Sequence, residues 1–454
     1  MKYTKKPRII LVPYPAQGHV NPMQKLALTL ISHGFEPVIV LPQYIHHKIV
    51  PHVESQDDQI EWISVPDGLE KDTTPDFFAA EFAMENSMPS HLESMVHEFE
   101  DDGGVVCLVV DLLASWAIEV ATRCGVPAAG FWPAMFATYR LIAAVPDMIR
   151  SGLISDSGFP QHQGEVCFLP DFPILSTEDL PWLIGTTAAK KARFKFWKRT
   201  MERSRNLKWL LVNSFPNEGK SESQIHLVTK DSQETPHVLP IAPLFKQNYI
   251  ANTPTFWEED LSCLEWLDTQ NPNSVLYISF GSWVSPIGEA KVKSLAMALE
   301  ASRRPFIWVL KSNWQDGLPI GFLGRVSKQG KVVSWAPQLA VLQHESVGCY
   351  LTHCGWNSTM EAIQFRKRLL CYPVAGDQFV NCAYIVQEWR VGLRLNGFSE
   401  KDLEEGLCRV MEDMEMESTL RKLSERIMGK EECSRVAFNM KGFVEDIKKE
   451  ASSF

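Results

Sequence analysis

Short apolar runs rich in β-branched residues recur along this chain, each leading through a turn-forming stretch into apolar residues at helical spacing. That alternation limits the fold more than any other feature. The run RIILVPYP at 8–15 is bounded by prolines and too short for a helix, as expected of a strand buried on both faces of a parallel sheet. The loop AQGHVNP follows at 16–22, then a helical pattern over 23–32 that Gly34 stops, then a strand over 37–41. The unit returns at 105–110, a nearly all-apolar run closed by Asp111, with a helix over 112–123. A second series starts with SVLYISFGS at 274–282. It continues through a helix at 289–302, strands at 306–310, 347–352 and 369–372, and a helix over 357–365.

Pro236, Pro240, Pro243 and Pro254 punctuate the stretch between the two series. The expected fold is therefore α/β, with two Rossmann-like domains whose parallel sheets face each other across a cleft. The boundaries read as 1–245 for the first domain, 246–260 for a linker and 261–430 for the second. A last helix at 431–454 packs back on the first domain. A chain of 454 residues holds two or three domains and needs no disulfide staples. Its ten cysteines form no C-x-x-C pair, which points to free thiols and a reducing, cytoplasmic compartment. A formal charge of −10 disfavours nucleic acid as a partner. The first apolar run ends at Pro13, so no secretory leader is expected. Charges interrupt every longer one, so neither is a membrane span. A monomer is expected.

In open α/β sheets ligands bind at the carboxyl ends of strands, and the informative polar residues fall there. His19 follows the first strand and Asp111 ends a later one. A neutral imidazole could take a proton from an incoming nucleophile, and a carboxylate on its other nitrogen would fix the tautomer. Trp335 offers a flat face for a base. The strand ending at Thr352 opens through His353 and Gly355 into a helix at Asn357, whose free N–H groups suit a diphosphate. Glu361, one turn on, can bridge two ribose hydroxyls, and Asp377 with Gln378 could read a sugar. His344, Cys349, His353 and Cys354 are metal-ligating types, but Cys349 lies within a strand whose side chains alternate, so the four should not converge. Nine basic residues at 190–208 read as a solvated face, with Phe194, Phe196 and Trp197 turned inward. G-x-G-x-x-G, a phosphate-loop motif, Asp-x-Asp and G-x-S-x-G are all missing.

The 44 residues at 335–378, WAPQLAVLQHESVGCYLTHCGWNSTMEAIQFRKRLLCYPVAGDQ, resemble the signature box of plant family 1 UDP-glycosyltransferases. The opening P-x-P-A-Q-G-H-x-x-P is similar to that family's first motif, so the likeness spans the chain. The resemblance implies the GT-B fold and a UDP-sugar donor. It places Trp335 on uracil with Ala336 at its edge, and Gln338 and Glu361 on ribose. Ser282, His353, Gly355, Asn357 and Ser358 fall on the diphosphate, and Trp356, Asp377 and Gln378 on the sugar. A closing Gln is the family's usual glucose choice. It also implies a His19–Asp111 dyad.

Two departures stand out. Arg366, Lys367 and Arg368 replace the family's Gly-Val-Pro, which should alter surface charge. Pro133 stands where many members carry Thr or Ser, which removes a hydroxyl near the sugar and leaves glucose and xylose both open.

The function expected is inverting, metal-independent transfer of a sugar from a UDP-sugar to a small lipophilic acceptor, in secondary metabolism and without a cofactor. His19 would be the general base, supported by Asp111. Phe77, Phe78, Phe82, Phe131, Trp132, Phe136 and Trp182 are candidate acceptor walls, though each alone reads as core. The alternatives are a non-catalytic UDP-sugar-binding protein of the same fold and a transferase for another UDP-sugar.

Overall fold

The computed structural model describes residues 6–53, 59–69, 75–100, 103–170, 172–216, 218–219, 236–244, 256–282 and 287–451. Most of the expected linker, 246–255, lies outside them.

Strands β1 (Arg8–Val12), β2 (Glu36–Pro42), β3 (Glu61–Val65), β4 (Val105–Asp111) and β5 (Ala128–Trp132) lead into a small antiparallel pair, β6 (Glu165–Val166) and β7 (Leu175–Ser176). Strands β8 (Trp209–Val212) and β9 (His237–Pro240) complete a seven-stranded parallel sheet in the order β3-β2-β1-β4-β5-β8-β9. The second parallel sheet is built from β10 (Val275–Ser279), β11 (Phe306–Val309), β12 (Gly330–Val333), β13 (Val347–Thr352), β14 (Arg368–Cys371) and β15 (Gly392–Arg394). Its order is β12-β11-β10-β13-β14-β15. Both orders reverse direction next to their first strand, between β1 and β4 and between β10 and β13. A crevice opens at such a switch point, and it sets where the site must lie.

Side-chain alternation explains why the strands are apolar throughout. Ile9 and Leu11 enter one core cluster and Ile10 and Val12 another, so both faces of β1 are covered. The helix Lys430–Ala451 covers one of these faces. Met440, Phe443, Val444 and Ile447 join the cluster of Ile9 and Leu11, and each contributes roughly 1.5–3 kcal/mol on burial. Asn439 Nδ2 also donates to Pro240 O at 2.8 Å. On the other face, one apolar cluster runs from Val12 through Trp132 to Trp356 and Trp389, so the two halves share a continuous core.

The first helix differs from the sequence reading. It begins at Gln17, not at 23, and carries Pro22 inside it. His19 is therefore on the first helical turn and not in a loop. The reason lies across the cleft, as described below.

Candidate active site

His19 Nδ1 and Asp111 Oδ2 are 2.7 Å apart, at the carboxyl ends of neighbouring strands β1 and β4. Asp111 is fully buried, and its Oδ1 accepts the Leu113 N–H at 2.9 Å. With Nδ1 donating to the carboxylate, Nε2 is left as the proton acceptor. The His19 side chain keeps 21% of its surface exposed, so the imidazole is reachable. Tyr14 packs beside it, ring centroids 5.4 Å apart.

Pro22 explains the helix. A proline has no N–H to give the carbonyl four residues back, which is that of Gly18. That carbonyl instead accepts Asn357 Nδ2 from the second half at 2.8 Å. Asn357 Oδ1 accepts from Asn213 Nδ2 at 3.4 Å. The helix Trp356–Gln364, expected to face the diphosphate, is thereby tied to the helix that carries His19.

His353 follows β13 and is 7% exposed. Burial pushes its imidazole down to about 4, so it is neutral near pH 7. Its Nδ1 meets no hydrogen-bond partner among the described residues. Gly281 and Gly355 flank the ring. A Cβ on either would lie 2.5 Å and 2.3 Å from His353 Nε2, respectively. Glycine at both positions makes room for the imidazole.

Gln338 organises the expected ribose site. Its Nε2 donates to Glu361 Oε2 at 2.7 Å and to Ser358 Oγ at 3.0 Å. Its Oε1 accepts the hydroxyls of Tyr277 and Tyr350 at 3.2 and 3.1 Å. Burial raises the Glu361 carboxyl above its usual range, opposed by the charge of Lys25 from the first half and by the Gln338 bond. A crevice lined by Lys25, Asn213, Asn357 and Glu361 joins the halves here. Ser282 follows β10, and Trp335 and Ala336 follow β12. Trp335 packs against Trp257, ring centroids 4.5 Å apart.

At the expected sugar end, Asp377 is raised by burial, countered by Asn381 Nδ2 at 2.8 Å. Gln378 Oε1 accepts the N–H groups of Val374 and Ala375, both at 2.9 Å. Its amide nitrogen is thus the end that can meet a ligand. Trp356 departs from expectation. It is 4% exposed, its indole N–H bonds Asn213 O, and it stacks with Phe215. Its side chain binds the halves together, and only its backbone could approach a sugar.

Lys367 is not surface charge. It is buried, lowered to about 8 by burial, and donates to the carbonyls of His344 and Val347 at 2.9 and 2.8 Å. Arg366 does lie outside, paired with Glu425, whereas Arg368 is largely buried and reaches the exposed Glu417. His344, Cys349, His353 and Cys354 do not converge, since His344 bonds Asp268 and Cys349 faces a different apolar cluster from Cys354. The thiols of Cys354, Cys371 and Cys382 do lie together, within 4.8 Å of one another. On the basic helix Thr187–Ser204, Phe194 and Phe196 are buried, and Arg199 and Arg203 pair with Glu81, Glu85 and Glu119. Of the aromatic candidates, Phe131, Trp132, Phe136 and Trp182 are core. Phe77 and Phe78 are half-buried near Tyr14, and Phe82 is exposed. Sequence reasoning missed Tyr277, Tyr350, Lys25 and Asn213. Only Asn213 carried a legible signal, a polar residue just past the carboxyl end of a strand, as Asp111 also showed.

Comparison with known proteins accords with this geometry. Residues 194–428 match the family described as UDP-glucoronosyl and UDP-glucosyl transferase. UDP-glycosyltransferase 82A1 of Arabidopsis thaliana is 54% identical over 448 residues, covering 95% of this chain and 96% of that one. UDP-glycosyltransferase 83A1 of the same plant is 32% identical over 408 residues, covering 86% and 84%. The crystal structure of a UDP-glucose: anthocyanidin 3-O-glucosyltransferase in complex with UDP superposes with a TM-score of 0.78 at 25% identity, covering 99% and 100%. The two facing parallel sheets are the GT-B architecture, and this chain belongs to the plant UDP-glycosyltransferases, enzymes that transfer a sugar from a UDP-sugar to an acceptor.

Proposed function

We propose that this enzyme moves glucose from UDP-glucose to a hydroxyl of a small apolar acceptor, in one displacement with inversion and without a metal. The carrying observation is the 2.7 Å contact between His19 Nδ1 and Asp111 at the carboxyl ends of β1 and β4. His19 Nε2 takes the acceptor proton as the acceptor oxygen forms its bond to the sugar's anomeric carbon. The bond from that carbon to the β-phosphate oxygen breaks, and UDP leaves with the electron pair. Asp111 stabilises the imidazolium formed. An α-linked donor thus yields a β-glycoside.

Trp335, Gln338 and Glu361 hold uridine in this reading. The backbone N–H groups that open the helix Trp356–Gln364 meet the diphosphate, with Ser282, His353, Gly355, Asn357 and Ser358 around it. Asp377 and Gln378 hold the sugar. Asn357 Nδ2 keeps its second N–H for the donor beside its bond to the Gly18 carbonyl. UDP is a good leaving group, so neither a general acid nor a cation cofactor is demanded. The half-buried Phe77 and Phe78 near Tyr14 support an aromatic-sized acceptor. A 25% identical relative that holds UDP is an anthocyanidin 3-O-glucosyltransferase.

His19→Ala should lower kcat roughly 10²–10⁴-fold on a phenolic acceptor while UDP still binds, and EDTA should leave wild-type turnover intact. Normal turnover of the variant refutes the base, and loss of activity on chelation refutes the metal-free step. Faster turnover with UDP-xylose in a donor panel overturns glucose. Donor binding without turnover on a broad acceptor library establishes the non-catalytic alternative.

A further inference from the structure

The negative charge that UDP gains on leaving must be met in the cleft, and the residues assigned to the diphosphate bring no cation to it. His353 stays neutral in its buried slot. Lys25 lies in the field of the Glu361 carboxylate. We propose that Lys311 is a further donor-binding residue, its ammonium contacting the diphosphate of the UDP-sugar. The inference rests on reading the cleft as a UDP-sugar site.

Lys311 lies just beyond the carboxyl end of β11, beside β10. Its Nζ donates to the carbonyl of Ser282 at 2.7 Å. The same nitrogen lies 4.1 Å from the ring centroid of Trp257, 5.1 Å from Trp314 and 5.9 Å from Trp335. One end of the expected donor path, the base platform, and the other, the diphosphate residue Ser282, are thus both next to one ammonium. A UDP laid from Trp335 towards Ser282 passes it. An ammonium has three donors, and the Ser282 carbonyl takes one. The indole faces hold the charge by cation–π attraction but accept no conventional hydrogen bond.

No ion pair joins Lys311 to a carboxylate among the described residues. Among those residues the groups facing it are Ser282, the three indoles and a like charge, Lys48, on the helix Gln43–Val53 of the first half. Burial first, and Lys48 second, lower the ammonium to about 8. A partly buried cation without an opposite charge is costly, and a diphosphate supplies one. Trp257 and Trp335 aim this cation while leaving its charge uncancelled, as a neutral cage does and a carboxylate would not.

Calorimetry with UDP and with uridine, on wild type, Lys311→Met and Lys311→Arg, tests this. Lys311→Met should weaken UDP about 10–100-fold, the loss of a hydrogen bond to a charged group, and leave uridine within about twofold. Lys311→Arg should recover most of the UDP affinity. Wild-type UDP affinity should fall as pH rises through about 8 while that of Lys311→Met stays level, because only the protonated amine attracts phosphate. Equal losses for UDP and uridine would mean that Lys311 merely props the Trp335 platform, and unchanged UDP affinity would remove it from the phosphates. Either result overturns the inference and leaves the donor-site reading standing. A wild type that binds neither ligand overturns both.

Discussion

An imidazole wedged between Gly281 and Gly355 has little room for water, and that decides its charge. His353 titrates near 4 in the folded chain against 6.5 when solvated. Between those values the unfolded chain holds a proton that the folded chain lacks, so folding stability rises with pH there. Acidification from about 6.5 towards 4 should therefore cost about 3 kcal/mol through this residue alone. Urea unfolding of wild type and His353→Asn at pH 7.5 and pH 5 measures it. The variant should lose much less stability on acidification, and parallel losses would show that the ring is not held neutral. At this scale the meeting of His19 and Asp111 was readable because polar residues at the carboxyl ends of apolar strands stand out. Gln338 was placed by resemblance alone. Its four hydrogen bonds come from β10, β13 and the helix Trp356–Gln364, segments that no local pattern links.

The helix Gln17–Ser32 shows how an element can be built for its neighbour. Pro22 sacrifices one intrahelical bond and frees the Gly18 carbonyl for Asn357. Pro22→Ala restores an N–H that competes for that carbonyl. Alanine is a better helix former by about 3 kcal/mol, so thermal stability should hold or rise. Turnover should fall several-fold as the His19 turn loses its tie to the Asn357 helix. Wild-type steady-state rates in Pro22→Ala would show that the tie does not position His19. A proline read from sequence marks a loop, and so it was read at 16–22. The helix survives because a partner 339 positions away takes the orphaned carbonyl.

The two halves are joined by more than the cleft residues. Arg394 at the end of β15 grips Asp179 with two nitrogens, at 2.8 and 3.3 Å. Gln387 exchanges two bonds with the backbone of Ile174, and Trp389 donates to Glu218 O. Asp179 is buried, so removing its partner strands a carboxylate. Arg394→Ala should destabilise the first unfolding transition by roughly 1–3 kcal/mol, and Arg394→Ala with Asp179→Ala should recover part of that loss. A double variant worse than the sum of the singles would mean that the pair holds something else in place.

The alternation of strands with helices, the two parallel sheets and the carboxyl-end positions of Asp111 and His353 followed from sequence, because periodicity and turn chemistry are local, whereas strands such as β3, β8, β12 and β15 did not stand out. Asn357 bonded to Gly18 and Trp356 turned into packing were decided by the docking of the halves, and Lys367 buried under β13 and Lys311 caged by three indoles by packing around the second sheet. Each depends on which distant surface a side chain meets, and alternation along one segment carries no record of that.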